Sequence, residues 1–256
     1  MLNTLPNIRK VALFLLLLLA LFYTYKSVWS DEYLRGLDAQ VLYLAGVTWA
    51  DGQSAYDRSA YAASFDAFTE EHGERDSLRR SVFVSPPTIA PLALGMATLG
   101  WPEAIAALEI LQVISYMALA YFCIMIAKRP TERSVPLDEY TVFTVIVGFC
   151  FGAVNSTMLF GQTAIIALAG ALGAIYAWQQ RRHVLLIAMI FVATIKPQVS
   201  LLFLLFLFGA GAWRPIVVSA VIALLLLIAL EASSGITMIP AHIAESFADY
   251  GRHPFN

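Results

Sequence analysis

Long apolar runs punctuated by basic residues dominate this chain, and one run is broken at an expensive place. Residues Ile190–Phe206 read IFVATIKPQVSLLFLLF. The stretch is greasy enough to enter a bilayer, yet Lys196, Pro197 and Gln198 interrupt it in the middle. A lysine at the centre of a membrane helix costs about 2.5–3.5 kcal/mol. Proline removes a backbone donor and clashes with the preceding turn, at about 3 kcal/mol in a regular helix. Such a break is tolerated at membrane depth only against protein or a wet cavity. Two readings follow: Lys196 snorkels to the interface beside a short helix, or it meets an anionic group in a polar pocket.

Composition sets the class. The 256 residues are 59% hydrophobic and 13% charged, against roughly 45–50% apolar and 25% charged in soluble domains. An all-α integral membrane protein with several spans is expected, organised as one membrane domain over 1–256. Net charge of -2 is uninformative about partners. Cys123 and Cys150 fall in apolar runs and are expected to pack as small hydrophobes. His72, His183, His242 and His253 lack metal-ligand spacing. No basic stripe with interleaved aromatics points to nucleic acid.

The positive-inside rule gives a topology. Arg9 and Lys10 precede VALFLLLLLALFYTY, which reads as an uncleaved first span with a cytoplasmic N-terminus. Residues 30–82 form an outer loop whose acids, including Asp31, Glu32, Asp38, Asp51 and Asp57, outnumber its bases two to one. Within it, LDAQVLYLAGVTWADG carries Leu37, Val41, Leu44, Ala45 and Thr48 at helical spacing. A helix lying along the membrane surface and ending near Gly52 is predicted. Arg79 and Arg80 follow, placed to meet lipid head groups or simply to anchor the loop. Pro86, Pro87, Pro91 and Pro102 then cut the next stretch into pieces too short to span.

Residues 83–232 form the helical bundle. A span from Pro102 to Ala127 ends at Lys128, Arg129 and Arg133. Another runs from Tyr140 to Leu159, turns at Phe160–Gln162, and returns from Thr163 to Trp178 before Arg181 and Arg182. Val184 to Ala212 has basic flanks at both ends, and its two legs of about 12 residues each rise only about 18 Å of a ~30 Å core. A hairpin of short helices with Lys196-Pro197 at its apex is predicted. A last span over Pro215 to Leu230 leads to an outer tail, 233–256.

No Walker loop, GxSxG or HExxH stands in the chain. What remains is an acidic loop above a bundle whose apex bears Lys196 and Gln198, with Gln162 and Asn155 at a neighbouring turn. A carboxylate over a cation suits one class of reaction. The carboxylate takes a proton from an attacking hydroxyl, and the cation and amides stabilise an anionic leaving group such as a phosphate.

Three segments resemble one family. GLDAQVLYLAGVTWADGQSAYD, SPPTIAPLALGMATLGWPEAI and GQTAIIALAGALGAIYAWQQRRHVLLIAMIFVATIKPQVSLLFLLFLFGAGAWRP resemble, in order and polar punctuation, elements of the polyprenyl-phosphate-mannose-dependent glycosyltransferases of family 87. The third carries the GQ and IKP landmarks and is the most specific. The resemblance implies a GT-C fold and an inverting sugar transferase on the outer face of the plasma membrane. It implies a polyprenyl-phosphate sugar donor, usually mannose, a lipid or glycan acceptor, and neither a metal nor a nucleotide-sugar cofactor. It maps the family's loop aspartate, as general base, onto Asp38. It maps the loop's tyrosine-aspartate pair onto Tyr56 and Asp57, the GQ glutamine onto Gln162, and the IKP lysine, facing the donor phosphate, onto Lys196. Gln198 and Asn155 join these as candidate substrate-binding residues. The chain departs from the pattern in carrying Asp38-Ala39 where the family often has Asp-Phe. It is also shorter than its family, so a C-terminally short member, with a partner supplying missing spans, is an expectation.

Other classes fit parts of the same pattern. Broken short helices around a buried lysine also describe a transporter or lipid-carrier component. A non-catalytic assembly subunit fits the short length. No second copy of the IKPQ element, as an internal repeat would give, is present.

Overall fold

The computed structural model describes residues 14–16, 18, 19, 22, 25, 26, 35–73, 83–127, 152–232 and 239–251. Within them every regular element is helical: α1 (Leu37–Ala50), α2 (Arg58–His72), a 3₁₀ turn (Pro87–Ile89), α3 (Ala90–Ala97) and α4 (Trp101–Ala127). Then come α5 (Gly152–Leu159), α6 (Ala164–Gln179), α7 (His183–Ala193), α8 (Pro197–Gly209), α9 (Trp213–Glu231) and α10 (Ile239–Gly251). The flanks of the first apolar segment, Arg79, Arg80, the bases after α4, Cys150 and the end of the tail lie outside the described residues.

The helix α6 is the hub of the bundle. Its sequence, AIIALAGALGAIYAWQ, is rich in alanine and glycine, and α4, α7 and α8 all pack on it. Small residues let helix backbones approach closely. The tightest point is Gly170, where an added Cβ would lie 2.6 Å from the Ala193 backbone nitrogen.

The broken apolar run folds as α7, a turn over 194–196, and α8. Its cause is local. Pro197 cannot donate to a continuing helix, but its fixed φ suits the first position of a new one. Lys196, the residue before proline, is pushed out of the helical region to φ -134 and ψ 81. Two of the earlier prolines likewise stand where helices begin. Pro87 and Pro91 each occupy an opening turn, one of the 3₁₀ turn and one of α3.

The helix α1 departs from the surface helix predicted for it. Ala39, Gln40, Leu42, Leu44, Ala45, Gly46, Thr48 and Trp49 are all buried, so protein covers most of its circumference. The reason is close packing that the sequence period does not report. At Gly46 an added Cβ would run into the carbonyl of Ala93 on α3. On other sides α2 and α4 close in. A cluster of Trp49, Tyr56, Tyr61, Phe65, Phe68, Phe83 and Trp101 fills the space between them, with the Trp49 and Phe83 rings edge to face at 5.2 Å. Only Asp38, in its first turn, and Ala50, at its last position, are left exposed.

Among the described residues, two helices, α4 and α9, are long and apolar enough to cross a membrane. Only 11% of the apolar window of α9 is buried, whereas the core helix of a soluble protein would be mostly buried. Leu201, Leu202, Leu205, Phe206 and Phe208 on α8 and Val217, Val221, Leu224 and Leu225 on α9 are likewise exposed, Leu202 by 77%. Cys123, expected to pack as a small hydrophobe, stands exposed on α4 as a free thiol.

Candidate active site

The start of α1 is stitched to the turn between α5 and α6. The backbone N–H of Gly36 donates to the Leu159 carbonyl at 2.7 Å, and that of Asp38 donates to the Phe160 carbonyl at 2.8 Å. The turn itself depends on Gly161. Its φ of 70 lies in the left-handed region, and an added Cβ would sit 2.6 Å from the Ala39 Cβ. Only glycine meets both demands without strain. The turn therefore places Gln162 beside Asp38, and the Gln162 side-chain amide donates to the Asp38 carboxylate.

Lys196 completes the cluster. It precedes Pro197 at the apex of the α7–α8 hairpin, half-buried, with its charge acting on Asp38. Three elements distant in sequence thus converge: the start of α1, the turn before α6 and the hairpin apex.

The electrostatics of Asp38 follow from this crowding. One edge of the residue is open to solvent, but packed protein on its other sides raises the carboxyl above the ordinary carboxylate range. The hydrogen bond from Gln162 and then the charge of Lys196 pull it back down, more weakly. A carboxylate tuned upward in this way holds a proton better than a free aspartate does.

The other sequence-predicted residues sit elsewhere. Gln198 is exposed on the first turn of α8, two residues past Lys196. Asn155 is 2% exposed inside α5, and neither its Oδ1 nor its Nδ2 has a hydrogen-bond partner among the described residues. Tyr56 and Asp57 lie beyond the far end of α1, which rises about 17 Å from Asp38 to Trp49. Tyr56 is buried, and its hydroxyl donates to the Ser85 carbonyl at 2.7 Å. Asp57 caps α2, accepting from the Ser59 N–H at 2.8 Å and the Ala60 N–H at 3.1 Å. Its Oδ2 is 3.9 Å from His242 Nε2.

Near Asp57 lies a cavity of about 500 Å³ lined by Asp57, Arg58, Ser59, Ala62, Ala241, His242 and Glu245. It contains none of Asp38, Gln162 and Lys196, so this hollow and the converging charges are separate features. Among the described residues no three His, Cys, Asp or Glu side chains gather as metal ligands.

Sequence reasoning passed over three buried polar residues. Glu109 grips Arg35, with Nε to Oε1 at 2.7 Å and Nη2 to Oε2 at 2.9 Å. Gln112 donates from Nε2 to the carbonyls of Thr157 at 3.2 Å and Gln162 at 2.8 Å. Glu231, fully buried, accepts from Trp49 Nε1 at 3.1 Å. A signal existed for all three, since an ionisable or amide side chain within an apolar span marks a functional position by default.

Comparison with known proteins bears on two thirds of the chain. No curated protein and no solved structure matches it. Residues 83–254 match the profile of glycosyltransferase family 87. The match contains Asn155, Gln162, Lys196 and Gln198 and begins after Asp38, Tyr56 and Asp57. Apolar helices α4 and α9 fit the membrane setting of such an enzyme. This membrane protein therefore belongs to glycosyltransferase family 87.

Proposed function

We propose that the chain transfers a sugar, mannose in the first instance, from a polyprenyl-phosphate donor to a hydroxyl of a lipid or glycan acceptor. The transfer inverts the anomeric centre and takes place on the outer face of the plasma membrane. In this reading the N-terminus is cytoplasmic, and 83–232 form a multi-span bundle beneath the loop 30–82. The observation that carries it is the convergence of Asp38, Gln162 and Lys196. Because Asp38 precedes the family match, its role rests on that geometry and on the resemblance of the α1 segment.

The chemistry follows from the charges. The Asp38 carboxylate accepts the proton of the acceptor hydroxyl as its oxygen attacks the anomeric carbon. The bond from that carbon to the phosphate oxygen breaks on the opposite side, and polyprenyl phosphate leaves. Its negative charge lies against the Lys196 ammonium, with Gln198 and the first turn of α8 beside it. Gln162 holds the Asp38 carboxylate toward the acceptor. The exposed apolar faces of α8 and α9 give the lipid tail of the donor a surface to lie along.

The test uses membranes containing the full chain and radiolabelled polyprenyl-phosphate mannose. Label passes to an extractable acceptor with the wild type. It falls by about 10²–10⁴-fold in Asp38→Asn, the usual worth of a general base. Label transfer undiminished by Asp38→Asn combined with Lys196→Ala would remove both residues from the mechanism.

A further inference from the structure

We infer that Glu109 and Gln112 on α4 are positioning residues that hold Asp38 and Gln162 together. The kinetic part of this inference rests on the sugar-transfer reading above, and the structural part does not.

Glu109 and Gln112 are three residues apart and share one face of α4. Both are buried, Gln112 completely. In an apolar helix such groups are retained only where they are used. Each is used on a different half of the Asp38–Gln162 pair. Glu109 takes Arg35 in a two-pronged ion pair, and Arg35 lies three residues before Asp38. Gln112 reaches the other half and donates to the backbone carbonyl of Gln162 itself, and to that of Thr157 in the preceding helix. Direct backbone bonds then join the halves, from Gly36 to Leu159 and from Asp38 to Phe160.

The geometry is that of a clamp with one jaw per element. Two-pronged arginine–carboxylate pairing fixes orientation as well as distance. Loss of either jaw frees the start of α1 to move against the turn, and the Asp38 carboxylate then leaves the acceptor. Lys196 sits on the α7–α8 hairpin, and among the described residues no bond ties it to either jaw, so donor binding is spared. A misplacement of about 1 Å can cost about 10²-fold in rate.

The experiment uses the full chain in lipid nanodiscs, with Glu109→Gln and Gln112→Glu as near-isosteric variants. The first removes the charge that holds Arg35, and the second removes the amide donor. Amide hydrogen exchange is followed at residues 35–40 and 157–163, with 183–209 as internal control. The expected result is exchange about tenfold faster or more at the first two segments in each variant, with the control unchanged. In the transfer assay kcat falls about 10²-fold while the donor KM stays near the wild-type value. Unchanged exchange in both variants overturns the inference, as does faster exchange across the control, which marks a merely structural role. Local loosening with an unaltered kcat overturns it too. A wild type that transfers no sugar sinks the transfer reading instead, and the exchange data still decide whether the clamp exists.

Discussion

Trp49 and Glu231 are hydrogen-bonded, Nε1 to Oε1 at 3.1 Å, across 182 residues of chain. The bond fastens the far end of α1 to the end of α9, as the Gly161 turn fastens its near end to α6. Asp38 therefore projects from a helix held at both ends. Glu231 Oε2 has no hydrogen-bond partner among the described residues, and the carboxylate adds to the burial that already raises the Tyr56 hydroxyl above its ordinary range.

Replacing Glu231 separates the hydrogen bond from the charge. Glu231→Gln keeps an acceptor for Trp49 and removes a buried ionisable group, so the melting temperature in detergent should hold or rise. Glu231→Ala leaves the indole N–H buried and unpaired and should lower stability by about 1–3 kcal/mol. A glutamine variant that melts as early as the alanine one would show that the charge itself is needed.

The pH profile reports on Asp38. Transfer needs the ionised carboxylate, and burial raises its pKa, so the acid limb of kcat/KM should lie above the ordinary aspartate value of about 3.9. Lys196 favours the charged form, so in Lys196→Met the proton is held to higher pH and the acid limb moves up further. The stability sign runs the other way from activity. A raised folded-state pKa contributes stability that is complete below the unfolded value and is lost as pH rises through the folded one. Asp38→Asn should therefore be more stable than wild type at neutral pH while inactive. An acid limb that stays put in Lys196→Met would show that the two charges do not communicate.

Much of this was legible in the sequence because it was written in expensive residues. The hairpin apex announced itself as Lys196-Pro197 inside an apolar run, and the 3₁₀ turn and α3 as closely spaced prolines. The enclosure of α1 was not legible. Its helical period was visible, but the Ala93 carbonyl that meets Gly46 and the aromatic rings around Trp49 come from other segments. Glu109, Gln112 and Glu231 were readable as oddities in apolar helices, yet their partners Arg35, Gln162 and Trp49 were not. Asp57 shows the limit from the other side, since a loop acid looks the same in sequence whether it binds substrate or caps a helix.

That ambiguity at Asp57 can be resolved by two substitutions. Bonds from the Ser59 hydroxyl and backbone and from the Ala60 N–H hold its carboxyl below the ordinary range. The stability it lends is present above the unfolded value and is lost as pH falls through the lowered one. Asp57→Ala should cost about 1 kcal/mol, as helix caps generally do, and Asp57→Asn should keep most of it. Wild-type transfer by the asparagine variant assigns Asp57 to the cap; lost transfer with retained stability assigns it to substrate.

Gly161 offers the sharpest test of how the site is assembled. Alanine there must adopt a φ near 70 and place its methyl 2.6 Å from the Ala39 Cβ, closer than two carbons can stand. The left-handed conformation alone costs roughly 1–2 kcal/mol, and the clash requires α1 to back away from the turn. That movement stretches the bond from the Asp38 N–H to the Phe160 carbonyl and parts Asp38 from Gln162. Gly161→Ala should therefore lose transfer about 10²-fold or more while losing only roughly 1–3 kcal/mol of stability. Gly52, also at positive φ but with no atom of the described residues within 4 Å of an added Cβ, is the matched control. Gly52→Ala bears the conformational strain without the collision, so its transfer rate should stay near wild type. Equal losses of transfer in the two variants would mean that backbone strain, rather than the seating of α1 on the turn, governs the chemistry.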